Sequence, residues 1–171
     1  MLLTAFLELR SGKDTFVDFC LKEIRGFGQK VSTVDFVKDI AKRSGWNGEK
    51  TPKNRKFLSD LKDLLTEWDD VPYKKVAKQI DIFNFELSTF DLSKMGIIFV
   101  MCREPQEIQK FVDRLGALTL CVRRATAENS ETSNHADADI FNFKYDYYID
   151  NNGTLEELEQ KAKEFLTLIQ N

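Results

Sequence analysis

The sequence contains few histidines and cysteines, and each shortage excludes a class of protein. The single histidine, His135, has no cysteine or second histidine near it, so no zinc-binding cluster can be recognised. The three cysteines, Cys20, Cys102 and Cys121, lie far apart beside apolar residues, and an odd number cannot pair completely. We therefore expect reduced thiols in the core, no disulfide framework and no metal ion held by the protein alone.

The chain also lacks any long run of one charge. Its 25 Lys and Arg residues are interleaved with 28 Asp and Glu residues, which gives a net charge of −3. A surface that binds nucleic acid gathers its basic residues on one face. We expect no nucleic-acid partner, and any phosphate group should be bound in a local pocket.

Long hydrophobic segments are missing as well. The first apolar run, Met1–Leu7, is too short to cross a bilayer. It has neither the basic segment nor the small-residue cleavage site of a signal peptide. These observations predict a soluble, cytoplasmic protein with no membrane partner.

What the sequence does contain is the pattern of one globular α/β domain covering residues 1–171. The chain is 42% hydrophobic and 31% charged, and it is long enough to bury a sizeable core. Residues 1–7, 96–101 and 117–122 are short, nearly all-apolar runs, typical of strands that are buried on both faces of a parallel sheet. They alternate with helical patterns, which predicts a three-layer sandwich with a central parallel sheet.

Turn signals and apolar periodicity predict the other elements. A helix should begin after Gly12 and end near Gly26 and Gly28. Thr51 and Pro52 should be the N-cap and the first residue of the helix that contains 57–65. Strands are expected at 30–34, with Asp35 ending the strand, and at 145–149. Helices are expected around 36–41, 57–65, 72–83 and 105–115, and after a capping box formed by Thr154 and Glu157.

One loop carries a candidate phosphate-binding motif. Gly12 and Lys13 follow a buried strand and open a helix, the context in which glycines and backbone N–H groups surround a phosphate and a lysine reaches its oxygens. The consensus G-x-x-x-x-G-K-[ST] is broken twice, because Leu7 replaces the first glycine and Asp14 replaces the hydroxyl residue. A surface turn before a helix therefore remains an alternative.

The segment Ser11-Gly-Lys-Asp-Thr15 resembles the phosphate loop of the deoxynucleoside monophosphate kinases and their relatives. Further segments resemble that family in the same order along the chain: WNGEK at 46–50, RKFLSDL at 55–61, REPQEI at 103–108, VRR at 122–124, and 145–147 together with 151–158. The resemblance implies a P-loop kinase fold of the adenylate kinase type. It also implies a helical acceptor-binding insertion at 35–94 and a short lid-like loop at 123–142.

The resemblance also implies the residues of the site. The ATP-binding group comprises Arg10, Ser11, Gly12, Lys13, Asp14, Thr15, Asn152 and Gly153. Lys13, which we expect to be an exposed loop lysine, would contact the β and γ phosphates, and Arg123 and Arg124 would close over the transferring phosphate. Thr15 would face Mg²⁺, although it could equally be an ordinary first-turn residue.

The acceptor would be bound by Asp35, Lys53, Arg55 and Arg103. Arg103 follows a central strand, and an open parallel sheet presents ligand-binding groups at the carboxyl ends of its strands. A guanidinium group there suits a phosphate. An ion pair between Arg103 and the region of Glu104 or Glu107 is the alternative.

These residues predict an enzyme that uses ATP and Mg²⁺ to phosphorylate a nucleoside monophosphate, with a deoxynucleotide as the expected acceptor. A kinase of another small metabolite is a second hypothesis. A nucleotide-binding protein without catalysis is a third, because Leu7 would crowd a triphosphate and Glu8 would repel it. The expected partners are a nucleotide donor and a small-molecule acceptor, and a homodimer is possible.

Overall fold

The computed structural model describes residues 2–7, 11–89, 96–125 and 143–170, with only the backbone described for 2–7 and 170. Glu8, Arg10, His135 and the rest of residues 126–142 of the predicted lid lie outside the described residues. The elements, in chain order, are β1 (Leu2–Leu7), α1 (Lys13–Glu23), β2 (Phe27–Ser32), α2 (Asp35–Arg43), α3 (Pro52–Asp69), α4 (Val71–Thr89), β3 (Gly96–Cys102), α5 (Pro105–Leu115), β4 (Leu118–Arg123), β5 (Tyr147–Asp150) and α6 (Leu155–Gln170).

The five described strands form one parallel sheet in the order β2-β3-β1-β4-β5. From β1 the chain runs through α1 to β2, whereas from β3 it runs through α5 to β4 in the opposite direction. Open α/β sheets bind ligands beyond the carboxyl ends of neighbouring strands whose connections diverge in this way. The end of β1 lies at that point.

β3 is buried on both faces, because helices cover each side of the sheet and make it the middle layer of three. Its residues alternate, because successive side chains of a strand point to opposite sides. Ile97, Phe99 and Met101 pack with α1 and α6, whereas Ile98, Val100 and Cys102 pack with α4 and α5. The predicted parallel sheet with helices on both sides is confirmed.

The first helix-to-strand connection differs from the prediction. α1 ends at Glu23 and β2 begins at Phe27, so Gly28 lies inside a strand instead of ending a helix. A side chain at Gly28 would collide with Leu21 and Ile24 at the end of α1, so the glycine permits close packing of the helix on the strand. Asp35 was also misplaced, since β2 ends at Ser32 and Asp35 is the first residue of α2.

Helices α3 and α4 form a hairpin in the predicted insertion. The Thr51 hydroxyl accepts a hydrogen bond from Asn54 N at 3.2 Å and Pro52 is the first helical residue, as predicted. Asp70 alone joins the two helices, in a left-handed conformation, and its carboxylate pairs with Lys110 of α5 at 2.7 Å. α4 is longer than predicted and buries Tyr73, Val76, Ile80 and Phe83 against the sheet.

The three cysteines are buried, as the sequence predicts. Burial raises the pKa of the Cys20 thiol to about 12, so this residue stays a neutral core group at physiological pH. Among the described residues, no helix combines the length and apolar character needed to cross a membrane.

Candidate active site

The start of α1 has the geometry of a phosphate-binding site. Gly12 adopts a left-handed conformation with φ of 84°, which is easily accessible only to glycine, and it directly precedes the helix. No side chain caps the helix at Gly12. The first N–H groups of a helix lack partners within it, and together with the helix dipole they favour an anion at this end.

Lys13 is the first residue of α1 and is buried, with 9% of its surface exposed. The expectation of an exposed lysine was therefore wrong. Its Nζ lies 4.0 Å from the Asp14 carboxylate. Because Lys13 is buried, its side chain has few conformations even without a ligand and loses little conformational entropy on binding. Its charge is therefore held close to the helix N-terminus before a ligand arrives.

Asn151 connects the phosphate loop to the far end of the chain. Its side-chain Nδ2 donates to the Ser11 carbonyl oxygen at 2.7 Å, and its backbone N–H donates to the carbonyl oxygen of Arg123 at 2.7 Å. A Cβ on Gly12 would collide with this amide. Asn151 therefore fixes the loop backbone. It also leaves no room for a side chain at position 12, which is a second reason for glycine there besides the left-handed conformation.

Asn152 and Gly153, the two residues after Asn151, were predicted to bind the nucleotide. Both are exposed: the Asn152 Oδ1 accepts a hydrogen bond from Ala125 N at 2.8 Å, and Gly153 lies against the Glu157 carboxylate. They adjoin the phosphate loop through Asn151. The role of Asn151 was missed because its partner is 140 residues away in the sequence, and no local pattern reports such a contact.

Arg123, at the end of β4, is paired with the neighbouring strand. Its Nη2 and Nε lie 2.8 and 3.0 Å from Asp150 Oδ1, and its guanidinium carbon lies 4.8 Å from the centre of the Tyr148 ring. Both charged side chains are more than a third exposed. Arg124 is exposed just beyond the strand.

Asp14 and Thr15 lie beside the loop and carry side-chain oxygen atoms that can bind a metal ion. Asp14 is exposed and lies 4.0 Å from Lys30, which also binds Asp18 at 2.5 Å, and Thr15 is half-buried. The described residues contain no cluster of three or more ligands of the His, Cys, Asp or Glu type that could hold a metal ion. A magnesium ion bound mainly by phosphate and water needs only one or two protein oxygens, so this donor set fits it.

The predicted acceptor residues are divided between the sheet and the hairpin. Arg103 is half-buried directly after β3, and Asp35 follows β2 and pairs with Lys38 at 3.4 Å. Both are at the same edge of the sheet as Gly12, since parallel strands end on one side. Lys53 and Arg55 are exposed at the start of α3.

A buried polar cluster lies beside Arg103. Lys62 Nζ of α3 lies 2.6 Å from Glu104 Oε1 and 2.7 Å from Glu107 Oε2. Glu107 Oε2 also accepts hydrogen bonds from the Thr33 hydroxyl at 3.2 Å and from the Cys102 thiol at 3.0 Å. The cluster therefore joins α3 to the ends of β2 and β3.

The cluster carries more negative than positive charge. Burial by itself would lower the pKa of Lys62, but the carboxylates of Glu107 and Glu104 outweigh it and raise that pKa. Burial, and then the Glu107 carboxylate, raise the pKa of Cys102 well above its ordinary value, so the thiol keeps its proton and donates it. Glu107 Oε1 is buried with no hydrogen-bond partner among the described residues.

Lys62 was not recognised from the sequence. Leu58, Lys62 and Leu65 are spaced as i, i+4 and i+7, which places a lysine in the apolar face of a helix. That position was the available signal, because a lysine is almost never fully buried without a partner. Its partners could not be read from the sequence, since they are more than 40 residues away.

No protein-family model matches this sequence, and no curated protein sequence matches it. Among solved structures, an unliganded sugar kinase from Janibacter sp. HTCC2649 matches with a TM-score of 0.50 and 14% identity, over 97% of this chain and 94% of that chain. A shikimate kinase from Acinetobacter baumannii in complex with shikimate has a TM-score of 0.46 and 12% identity, over 99% of this chain and 94% of that chain. The first similarity shows the fold, so the predicted P-loop kinase fold is confirmed.

Replacing Asn151 by alanine should destabilise the protein. The variant leaves the Ser11 carbonyl group buried without its partner, a loss of about 1–3 kcal/mol in the free energy of unfolding. Asn152→Ala is the matched control, because its hydrogen bond is exposed and water can replace the side chain. Urea denaturation measures both, and equal stabilities for the two variants would contradict the role of Asn151.

Replacing Lys62 by methionine should leave two partly or fully buried carboxylates without a counter-charge. Breaking a buried ion pair from one side costs about 3–5 kcal/mol of unfolding free energy. Lys38→Met on α2 is the control, since its pair with Asp35 is exposed and should contribute little. The double variant Lys62→Met, Glu107→Met should recover part of the loss, and a Lys62→Met protein as stable as the control would disprove the pairing.

Proposed function

We propose that this protein is an ATP-dependent phosphotransferase that phosphorylates a hydroxyl group of a small metabolite. The observation that carries the proposal is the combination of left-handed Gly12, buried Lys13 and the N-terminus of α1 beyond the end of the central strand. Phosphoryl transfer depends on positioning and charge neutralisation far more than on covalent chemistry from the protein. These residues supply both.

Each residue near the loop has a role in that proposal. Lys13 neutralises the β and γ phosphate oxygens, and the first N–H groups of α1 donate hydrogen bonds to phosphate. Asp14 and Thr15 orient the hydration shell of the metal. ATP with Mg²⁺ supplies the phosphoryl group and further positive charge. Asn151 keeps the loop backbone in place.

The charge on the acceptor side favours a metabolite over a nucleoside monophosphate. A monophosphate brings about two negative charges and needs several cations. Beside Arg103, the buried Lys62 is already paired with Glu104 and Glu107, so its charge is not available to an acceptor phosphate. A hydroxylated acceptor with at most one anionic group, such as a sugar or a sugar acid, needs fewer cations.

A nucleoside monophosphate remains the second candidate. Arg103 and Arg55 lie in segments that resemble the deoxynucleoside monophosphate kinases, and Lys53 is a third basic side chain, exposed at the start of α3.

A coupled ADP-release assay with ATP and Mg²⁺ tests the proposal against three acceptor sets: sugars and sugar acids, the hydroxy acid shikimate, and nucleoside and deoxynucleoside monophosphates. The proposal expects turnover above the acceptor-free rate with a member of the first or second set. Turnover only with monophosphates would support the second candidate. Calorimetric binding of ATP without turnover on any acceptor would favour a nucleotide-binding protein that lacks catalysis.

Lys13→Met should reduce kcat by at least about 100-fold, the usual effect of removing one group that stabilises transition-state charge. Methionine retains an unbranched side chain of similar length, so the packing around this buried position should survive. Lys22→Met, on the exposed last turn of α1, should keep the wild-type rate. A Lys13→Met enzyme with wild-type turnover and an intact circular dichroism spectrum would refute the phosphate-loop assignment.

Arg103→Lys tests which substrate Arg103 contacts. Lysine keeps the charge but cannot form two parallel hydrogen bonds, so an anionic acceptor should bind about 10- to 150-fold more weakly, equivalent to about 1.5–3 kcal/mol. The expected result is a raised acceptor KM with ATP affinity unchanged. Arg43→Lys on the exposed end of α2 is the control. Loss of ATP affinity with an unchanged acceptor KM would assign Arg103 to the donor.

A further inference from the structure

Helix α3 has an exposed apolar stripe that nothing among the described residues covers. Phe57, Leu64 and Trp68 are 40%, 62% and 75% exposed. At 3.6 residues per turn, these residues and half-buried Leu61 lie within about 60° of one another around the helix. A stripe of this kind on a soluble protein marks an interaction surface.

The stripe faces away from the candidate active site. Lys62, on the same helix, points to Glu104 and Glu107 beside the strand ends. The centre of the stripe is about 130° around the helix from Lys62. Phe57, Leu64 and Trp68 are therefore on the outer surface of the hairpin, where a macromolecule can reach them.

The order of residues along α3 matches a second copy of the same helix in the opposite direction. About a midpoint between Lys62 and Asp63, position 57 corresponds to position 68 and position 61 to position 64. In an antiparallel pair the two aromatic residues therefore meet, and the two leucines meet between them. A two-fold axis requires this kind of self-complementary surface.

The charges beside the stripe agree with the same direction. The first half of α3 exposes Lys53, Arg55 and Lys56 and one acid, Asp60, which pairs with Lys56. The second half exposes Asp63, Glu67 and Asp69 and no basic residue. Two parallel copies would bring like charges together. Two antiparallel copies bring Lys56 close to the partner's Glu67 on the same side of the stripe, and complementary charge sets the orientation of an interface.

We propose that the protein forms a two-fold symmetric homodimer in which the two α3 helices pack antiparallel through Phe57, Leu61, Leu64 and Trp68. In this dimer the aromatic pairs lie at the two ends of the interface and the leucines at its centre. The hairpins meet back to back, so both candidate active sites remain open.

Sedimentation equilibrium of the full chain gives the first test. The dimer predicts a mass of twice 19.8 kDa at micromolar concentration. Trp68→Glu should shift the mass to that of one chain, because it buries a charge in the interface. Leu168→Glu is the matched control, since Leu168 is 63% exposed on α6, which packs on the opposite face of the sheet, and this variant should stay dimeric. A wild-type monomer, or a dimeric Trp68→Glu protein, would overturn the proposal.

Charge reversal tests the antiparallel direction without changing the apolar stripe. Lys56→Glu alone and Glu67→Lys alone should each weaken the dimer at least 10-fold, and the double variant should recover most of that affinity. If the double variant is no better than the single ones, the antiparallel pairing is wrong. In a Trp46→Phe background Trp68 is the only tryptophan, and its emission should change as dilution separates the dimer. Emission that stays constant while the mass falls to that of one chain would refute the burial of Trp68 in the interface.

Discussion

The buried pair between Lys62 and Glu107 is the interaction on which the arrangement of the acceptor side depends. Lys62 is the only residue of α3 that is buried among those described, and it meets two carboxylates at the start of α5. A buried charge is costly unless it is paired. A polar contact of specific geometry therefore helps to fix the position of α3, while Phe57, Leu64 and Trp68 face outward.

The two sides of the crevice are held by different physical means. On the proposed donor side, one neutral hydrogen bond from Asn151 and the conformation of Gly12 fix the backbone at the start of α1. On the proposed acceptor side, the ion cluster holds a whole helix. The proposed phosphoryl transfer would need the donor and the acceptor aligned to within about an ångström, and rigid supports on both sides would serve that alignment.

The sequence predicted what local chemistry controls. The apolar runs that became β3 and β4 are determined by burial on both faces, and the Thr51-Pro52 helix start by capping within four residues. The predictions failed where the environment of a residue depends on contacts with residues that are distant in the chain. Gly28 reads as a helix stop until α1 is seen to pack on it, and Lys13 reads as an exposed loop lysine until the fold buries it. Asn151 and Lys62 needed partners that only the tertiary fold brings near.

Lys62 and Arg123, both paired with carboxylates at this edge of the sheet, differ in whether a ligand could replace the partner. Lys62 is buried with its partners, and releasing it would leave Glu107 uncompensated inside the protein. The pair of Arg123 with Asp150 is partly exposed, and such pairs contribute only about 0–1 kcal/mol. A charge-assisted hydrogen bond to phosphate is worth about 1.5–3 kcal/mol. Arg123 can therefore exchange Asp150 for a phosphate at a net gain, whereas Lys62 is confined to holding α3 in place.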